Sequence, residues 1–379
     1  MKELIKKLID SIFSLFPLTD TIIFESHPDV SDSAEALFRY FLEKKVNEKY
    51  KIVWILLKDN PADYPRENNV YYYLRYDSNI FTKIKVAYIL NTAKYIIDSN
   101  IYIYKKRKNQ IRIHLGHGMP LKYRKEYSEQ LGEVDGILIA SDEFREYFTN
   151  VCKAKDNQIL SLGLPRNDLI CQKYDIEEFK DKKVIVWMPT YRQHEDKRIE
   201  SLEVTSKFGL PCINNAAELK QLEKVLVEND ILLLLRLHPV QDTSFLTEVK
   251  MKNLIFANDD FLKNKGIKLY HLLSATDAMI TDYSSVYYDY LLTDNPIGLT
   301  TDDIDEYKRV NSIFYDDLEN NIIGQYINNF QQLLQFVLDI ANGNDFTKEK
   351  RQIAKKRFQK YDASFCERVY LYLKENFHL

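Results

Sequence analysis

The sequence predicts an α/β protein built as two successive Rossmann-like halves. Three observations carry this. Short aliphatic and β-branched runs alternate with longer helical patterns, as expected for βαβ units and a mostly parallel sheet covered on both faces. A charged stretch, Lys173 to Lys183, interrupts the alternation, which then restarts. The length, 379 residues, exceeds one ordinary α/β domain and is comfortable for two.

The first sixteen residues, MKELIKKLIDSIFSLF, have helical periodicity. Leu4, Ile5, Leu8, Ile9, Ile12 and Phe16 share one stripe, with Lys2, Lys6, Lys7 and Asp10 largely outside it. That pattern fits a helix docked on the protein's own core and equally an interfacial helix lying on a membrane surface. It should end before Pro17. Strands are expected at Thr21 to Phe24, Lys51 to Leu57, Tyr95 to Asp98, Ile111 to Leu115, Ile137 to Ala140 and Ile159 to Leu162. A helix carrying Ala34, Leu37, Phe38, Phe41 and Leu42 follows the first of them. In the second half, strands are expected at Val184 to Met188, Ile231 to Leu237, Leu254 to Phe256, Ala278 to Thr281 and Ile297 to Leu299. A long polar helix should run from about Lys348 to Phe377. The domain division is therefore an amphipathic helix at 1–18, a first Rossmann-like domain at 19–175 and a second at 176–355. A closing helix at 356–379 is expected to return toward the first domain.

Composition narrows the function classes. The net charge of −3 argues against a general nucleic-acid binder, since phosphate backbones select basic faces. Cys152, Cys171, Cys212 and Cys366 are widely spaced with no CxxC pair, so reduced structural thiols are expected rather than disulfides or a zinc site. No apolar run approaches the roughly 18–20 residues that span a bilayer. No signal peptide is expected, and no compact acidic cluster calls for a metal.

Ligands of open parallel sheets bind beyond the carboxyl ends of the strands. Five such places carry unusual residues. In Ile111–Lys122 a strand runs into Gly116–His117–Gly118. The glycines let backbone approach a ligand, His117 is placed to take a proton from a hydroxyl, and Lys122 can attract phosphate. His114 lies within the strand and reads as a core or supporting residue. In Gly163–Asp168, Arg166 can hold a phosphate bidentately while Asp168 orients it or caps the next helix; a plain Gly-Pro turn with an Asx cap fits as well. In Trp187–Arg192, Thr190 and Arg192 are candidate phosphate contacts, and His194 follows. In Leu235–Pro239, Arg236 is embedded in apolar sequence and needs a partner or a ligand, and His238 ends the strand. In Ile280–Val286, Asp282, Ser284 and Ser285 open a helix whose free N–H groups attract phosphate, and ordinary capping fits too. Asp289 lies further along that helix, near enough to reach a ligand hydroxyl or to support the site.

The segments FESHPDVSDSAEAL, HLGHGMPLK, GLPRNDL, MPTYR, LRLHP and ITDYSSVYYDY, in this order, resemble the CDP-glycerol glycerophosphotransferase family of teichoic-acid synthesis. The pieces are short but their combination is specific, and the resemblance runs from about Thr21 to Tyr370. It implies a GT-B fold, two Rossmann-like domains with a cleft between them and the donor in the second. It implies CDP-glycerol as donor substrate and a lipid-linked glycerol-phosphate or saccharide acceptor; the sequence shows no required cofactor. It also implies peripheral attachment at the cytoplasmic face of the cell membrane. It carries His117 over as the base, His238 as a second catalytic residue, and Arg236, Ser284 and Ser285 as donor-diphosphate contacts. Ser26 and Asp32 match the family's amino-terminal segment, where a turn and helix cap around Asp32 is the other reading. Two departures stand out. Met119 stands where a threonine is common in the HLGHGMPLK segment, and no counterpart of the large amino-terminal domain of some polymerising members is expected. Primase, single-unit transferase and polymerase stay open, as do glycerol versus ribitol and the oligomeric state.

The expected reaction is attack of an acceptor hydroxyl on the β-phosphorus of CDP-glycerol, with CMP leaving and positioning and electrostatics dominating. A CDP-ribitol phosphotransferase is the near alternative. A GT-B glycosyltransferase would instead release a nucleoside diphosphate. A nucleotide-sugar epimerase would need no acceptor, and a non-catalytic membrane scaffold would bind no donor.

Overall fold

The computed structural model describes residues 2–100, 103–122, 131, 133–190, 209–237, 251–310, 313, 315 and 317–379. The chain divides into two compact units. The first gathers 1–119, 125–168 and 360–379; the second gathers 169–359 with the short segment that begins at Pro120.

The first unit holds β1 (Thr19–Glu25), β2 (Lys51–Leu56), β3 (Val70–Leu74), β4 (Ala93–Asp98), β5 (Ile111–His114), β6 (Gly136–Leu138) and β7 (Ile159–Leu160). They form one parallel sheet in the order β3-β2-β1-β4-β5-β6-β7. The strand order reverses between β1 and β4, the switch point at which a Rossmann sheet opens a crevice. One face of the sheet is aromatic. Phe24 stacks on Trp54 at 5.2 Å, and Phe38 and Phe41 of helix Asp32–Glu43 meet that pair edge-on. The other face is aliphatic: Ile23, Val53, Ile55 and Ile96 pack with Val86 and Ile89 of helix Ile80–Thr92.

The amino-terminal helix, Lys2–Phe13, docks on that second helix. Asp10 accepts from Asn91 at 2.9 Å and from Lys106 at 2.8 Å, and Phe13 and Phe16 meet the ring of Tyr88. Docking uses only part of its apolar stripe. Leu8 and Ile12 remain 61 and 48% exposed, and Leu15, in the turn after the helix, is 84% exposed.

The second unit repeats the plan. β8 (Lys183–Met188), β9 (Ile231–Leu235), β10 (Leu254–Phe256), β11 (Ala278–Thr281), β12 (Ile297–Thr300) and β13 (Gln325–Ile327) form a parallel sheet in the order β10-β9-β8-β11-β12-β13. Its switch point lies between β8 and β11. Trp187, Leu233, Leu235, Leu222, Phe336 and Val337 contribute to one buried cluster with helices Ala216–Glu228 and Phe330–Ala341. Two parallel Rossmann-like units of this kind make the GT-B class of α/β fold.

Several expected boundaries shift. β3 and β13 fall outside the sequence-based series. β9 ends at Leu235, so Arg236 lies just beyond the strand rather than within it. The closing helix is two helices, Lys348–Phe358 in the second unit and Phe365–Phe377 in the first. The first is held by Arg351, fully buried, which reaches Asp345 and the Asp294 carbonyl. The second starts where Asp168 accepts the N–H groups of Phe365 and Cys366, both at 2.8 Å.

Candidate active site

β5 ends at His114, and the chain then turns through Gly116 and Gly118, both at positive φ (68° and 137°). Such backbone strongly favours glycine. The turn leaves His117 exposed at the carboxyl edge of the sheet, the side where parallel sheets bind ligands. The strand end beneath it is pinned: Leu115 N–H donates to the Asp98 carbonyl at 2.7 Å.

Two further segments of the first unit interlock. Arg166 Nη1 contacts both carboxylate oxygens of Asp32 at 2.9 Å, and Arg166 is only 6% exposed. FESHPDVSD and GLPRND are therefore partners in one clasp. Ser26 closes the turn inside the first of them, donating to the Pro28 carbonyl and accepting from Ser31 N–H, both at 2.9 Å. Asp168 is engaged by the closing helix. The sequence reading missed Asp29, whose carboxylate accepts the N–H groups of Leu57, Lys58 and Asp59 and so ties the end of β2 to the same turn. Its signal was a carboxylate beside a proline at a strand end, which composition alone does not separate from a turn.

In the second unit the switch point is closed by Asp282. Its carboxylate accepts Thr190 N–H at 3.0 and 2.9 Å and the Thr190 hydroxyl at 3.0 Å, and it is 2% exposed. Thr281 ties the neighbouring Met188 carbonyl. These bonds fix the ends of β8 and β11 side by side and place Ser284 and Ser285 directly after them. Both serines are half-buried, and among the described residues neither hydroxyl has a side-chain partner. Lys122 lies over the ring of Tyr307 at 4.9 Å, and that ring packs on Tyr283 of the same TDYSS segment at 4.1 Å. Arg236 Nη1 donates to the Ala257 carbonyl at 2.9 Å and Nη2 pairs with Asp259, so the charge has internal partners. Asp289 is fully buried and accepts from the Tyr270 hydroxyl at 2.6 Å. That places it inside the second unit rather than at its surface. Arg192, His194 and His238 lie outside the described residues. Among the described residues, no group of three or more His, Cys, Asp or Glu is placed to hold a metal ion.

A family model described as CDP-Glycerol:Poly(glycerophosphate) glycerophosphotransferase matches residues 10–374. The chain belongs to that family. Relatives within the glycerophosphotransferases carry several names. The chain is 28% identical over 372 residues to a teichoic acid poly(glycerol phosphate) polymerase of Bacillus spizizenii, covering 89% of this chain and 88% of that protein. It is 24% identical over 414 residues to a teichoic acid glycerol-phosphate transferase of Staphylococcus aureus, covering 97% and 98%. It is also 23% identical over 401 residues to a teichoic acid ribitol-phosphate polymerase of Staphylococcus aureus, covering 97% of this chain and 65% of that one. Among solved structures, the wall teichoic acid polymerase TagF has the same fold, with a TM-score of 0.72 at 21% identity over 97% of this chain and 91% of that chain.

Proposed function

We propose that this glycerophosphotransferase-family chain transfers glycerol phosphate from CDP-glycerol to a hydroxyl of a membrane-linked acceptor of teichoic-acid type, releasing CMP. The observation that carries the reading is His117, exposed on a two-glycine turn at the ligand side of the first sheet. The acceptor oxygen attacks the phosphorus that bears glycerol, the bond from that phosphorus to CMP breaks, and His117 takes the hydroxyl proton. A positioned imidazole of this kind contributes about 10²- to 10⁴-fold. Ser284, Ser285 and Arg236 serve the donor phosphates, and His238, two positions after Arg236 in the sequence, is the second catalytic residue of this reading. Asp282 and Thr190 hold the ends of β8 and β11 in place, and Lys122 adds positive charge. Asp32, Arg166, Ser26 and Asp168 support the acceptor-side unit from within, through the clasp and cap described above.

CDP-ribitol is the second donor to test, because a ribitol-phosphate polymerase matches over 97% of this chain. The deciding assay incubates purified protein with CDP-glycerol or CDP-ribitol and an oligomeric glycerol-phosphate acceptor. Acceptor-dependent CMP with a matching mass gain in the acceptor supports the reading. Release of CDP points to glycosyl transfer, and no release with either donor removes it.

Attachment to the cytoplasmic face of the membrane belongs to the same proposal. No described helix is long and apolar enough to cross a bilayer. Leu8 and Ile12 of the amino-terminal helix, with Leu15 in the turn just after it, instead offer exposed apolar side chains suited to lying in the interface. Co-sedimentation with anionic vesicles, lost on replacing all three by serine, is the expected result.

A further inference from the structure

A cluster of ionisable side chains lies beneath the Gly116–His117–Gly118 turn, on the same face of β1, β4 and β5. Glu25, Asp98 and Arg112 are fully buried and His114 is 4% exposed. The register sets Glu25 beside Asp98 and Asp98 beside His114, at the carboxyl ends of these strands. Asp98 is shared. One oxygen accepts from Arg112 Nε at 2.6 Å, and the other meets His114 Nδ1 at 2.5 Å. Beyond Asp98, the Arg112 guanidinium lies over the Tyr104 ring at 5.2 Å.

Stability alone does not call for this arrangement. Buried ion pairs contribute little compared with apolar residues of the same volume, because desolvation offsets their attraction. The arrangement has a chemical consequence instead. A carboxylate only accepts, so Nδ1 of a neutral His114 carries the proton and Nε2 keeps its lone pair. Among the described residues, no hydrogen bond occupies that second nitrogen. Open space adjoins the turn: a Cβ built on Gly116 would meet nothing within 4 Å.

We propose that Asp98 and His114 form a carboxylate–imidazole pair that reads a hydroxyl of the polyol acceptor. Asp98 is the positioning residue, and His114 Nε2 is the hydrogen-bond acceptor. Arg112 holds the Asp98 carboxylate in its orientation, as the orienting third group does in other carboxylate–imidazole assemblies. The pair is separate from His117, which receives the proton of the attacking hydroxyl. It rests on the functional reading above only in naming the hydroxyl's owner as a polyol.

The test uses full-length protein with ¹⁵N-labelled histidine side chains. Long-range ¹H–¹⁵N correlations report which ring nitrogen bears the proton, and His114→Gln assigns the signals. The expected result is His114 protonated at Nδ1, with Nε2 shifting on titration with glycerol 3-phosphate. Asp98→Asn should redistribute the tautomers. His114→Gln should raise KM for an oligomeric glycerol-phosphate acceptor about tenfold, the weight of one hydrogen bond, while KM for CDP-glycerol stays unchanged. A proton on Nε2, no shift with glycerol 3-phosphate, or an unchanged acceptor KM overturns the proposal. The spectra decide the pair in wild-type protein even if the variants fold poorly. If wild-type protein releases no CMP from either CDP-polyol while the Nε2 shift persists, the functional reading falls and the hydroxyl site stands.

Discussion

Arg166 and Asp32 stand 134 positions apart in the chain, and one guanidinium nitrogen reaches both oxygens of the carboxylate. Both are largely buried, so removing Asp32 takes a carboxylate away from a buried guanidinium. Asp32→Ala should destabilise the first unit by about 3–5 kcal/mol, read from urea denaturation. Adding Arg166→Met should restore part of that loss. Independent, additive losses would show that the clasp is not a coupled pair.

Gly163 has φ +80°, and a Cβ there would come within 2.2 Å of the Phe365 ring. Gly163→Ala should therefore loosen helix Phe365–Phe377 more than an ordinary turn substitution does. Asp168→Ala removes the cap on that helix and should cost about 1 kcal/mol. Faster hydrogen exchange across 365–377 than in wild type is the expected signature of each.

His117→Ala should lower acceptor-dependent CMP release by about 10²- to 10⁴-fold. Its side chain is exposed, so the thermal midpoint should stay close to that of wild type. Near-normal turnover in the folded variant would remove His117 as the base.

Ser284→Ala and Ser285→Ala should each weaken use of the CDP donor by roughly tenfold, about the net worth of one hydrogen bond to a charged group. Neither hydroxyl supports another described side chain, so stability should hold. Asp282→Ala should behave differently. It strips Thr190 of its anchor, and both donor use and unfolding midpoint should fall.

The thiols of Cys152 and Cys366 should be inert at neutral pH. Burial pushes Cys152 up to about 12, and burial together with the neighbouring Asp168 carboxylate raises Cys366 as well. Since the thiolate is the nucleophile, both lose reactivity. Cys171, half-exposed, should be the first of the four to react with a disulfide reagent at pH 8, with Cys152, Cys212 and Cys366 following on unfolding.

Most of the fold was legible because the parallel strands are apolar runs buried on both faces, as in ILLLL of β9. The exceptions have local causes. VYYYL of β3 lies at the sheet edge and carries half-exposed tyrosines, so it lacks that uniform pattern. QYI of β13 is too short to show a period. Helical periodicity continued through 359–364, where contacts of Gln359 and Asp168 with distant residues end one helix and start the next. At the site, the His117 turn announced itself through its glycines. The partners of Arg166, Arg236 and His114 did not, because each lies elsewhere in the chain and pairing is set by the sheet register and turns rather than by local sequence. Asp98 ends an apolar strand with no motif around it, and only its placement beside His114 gives it meaning.

Helix Phe365–Phe377 completes the first unit, with Tyr370 against Phe41 and Asp168 holding its start. The ribosome makes that helix only after the whole of the second unit. At about 5–20 residues per second, the nascent first unit waits on the order of ten to forty seconds for its last piece. During that interval the second unit can fold, while the groove that receives Phe365 and Tyr370 stands open. The unit begun first is the one finished last, and a chaperone that shields apolar grooves should engage this nascent chain before its final helix emerges.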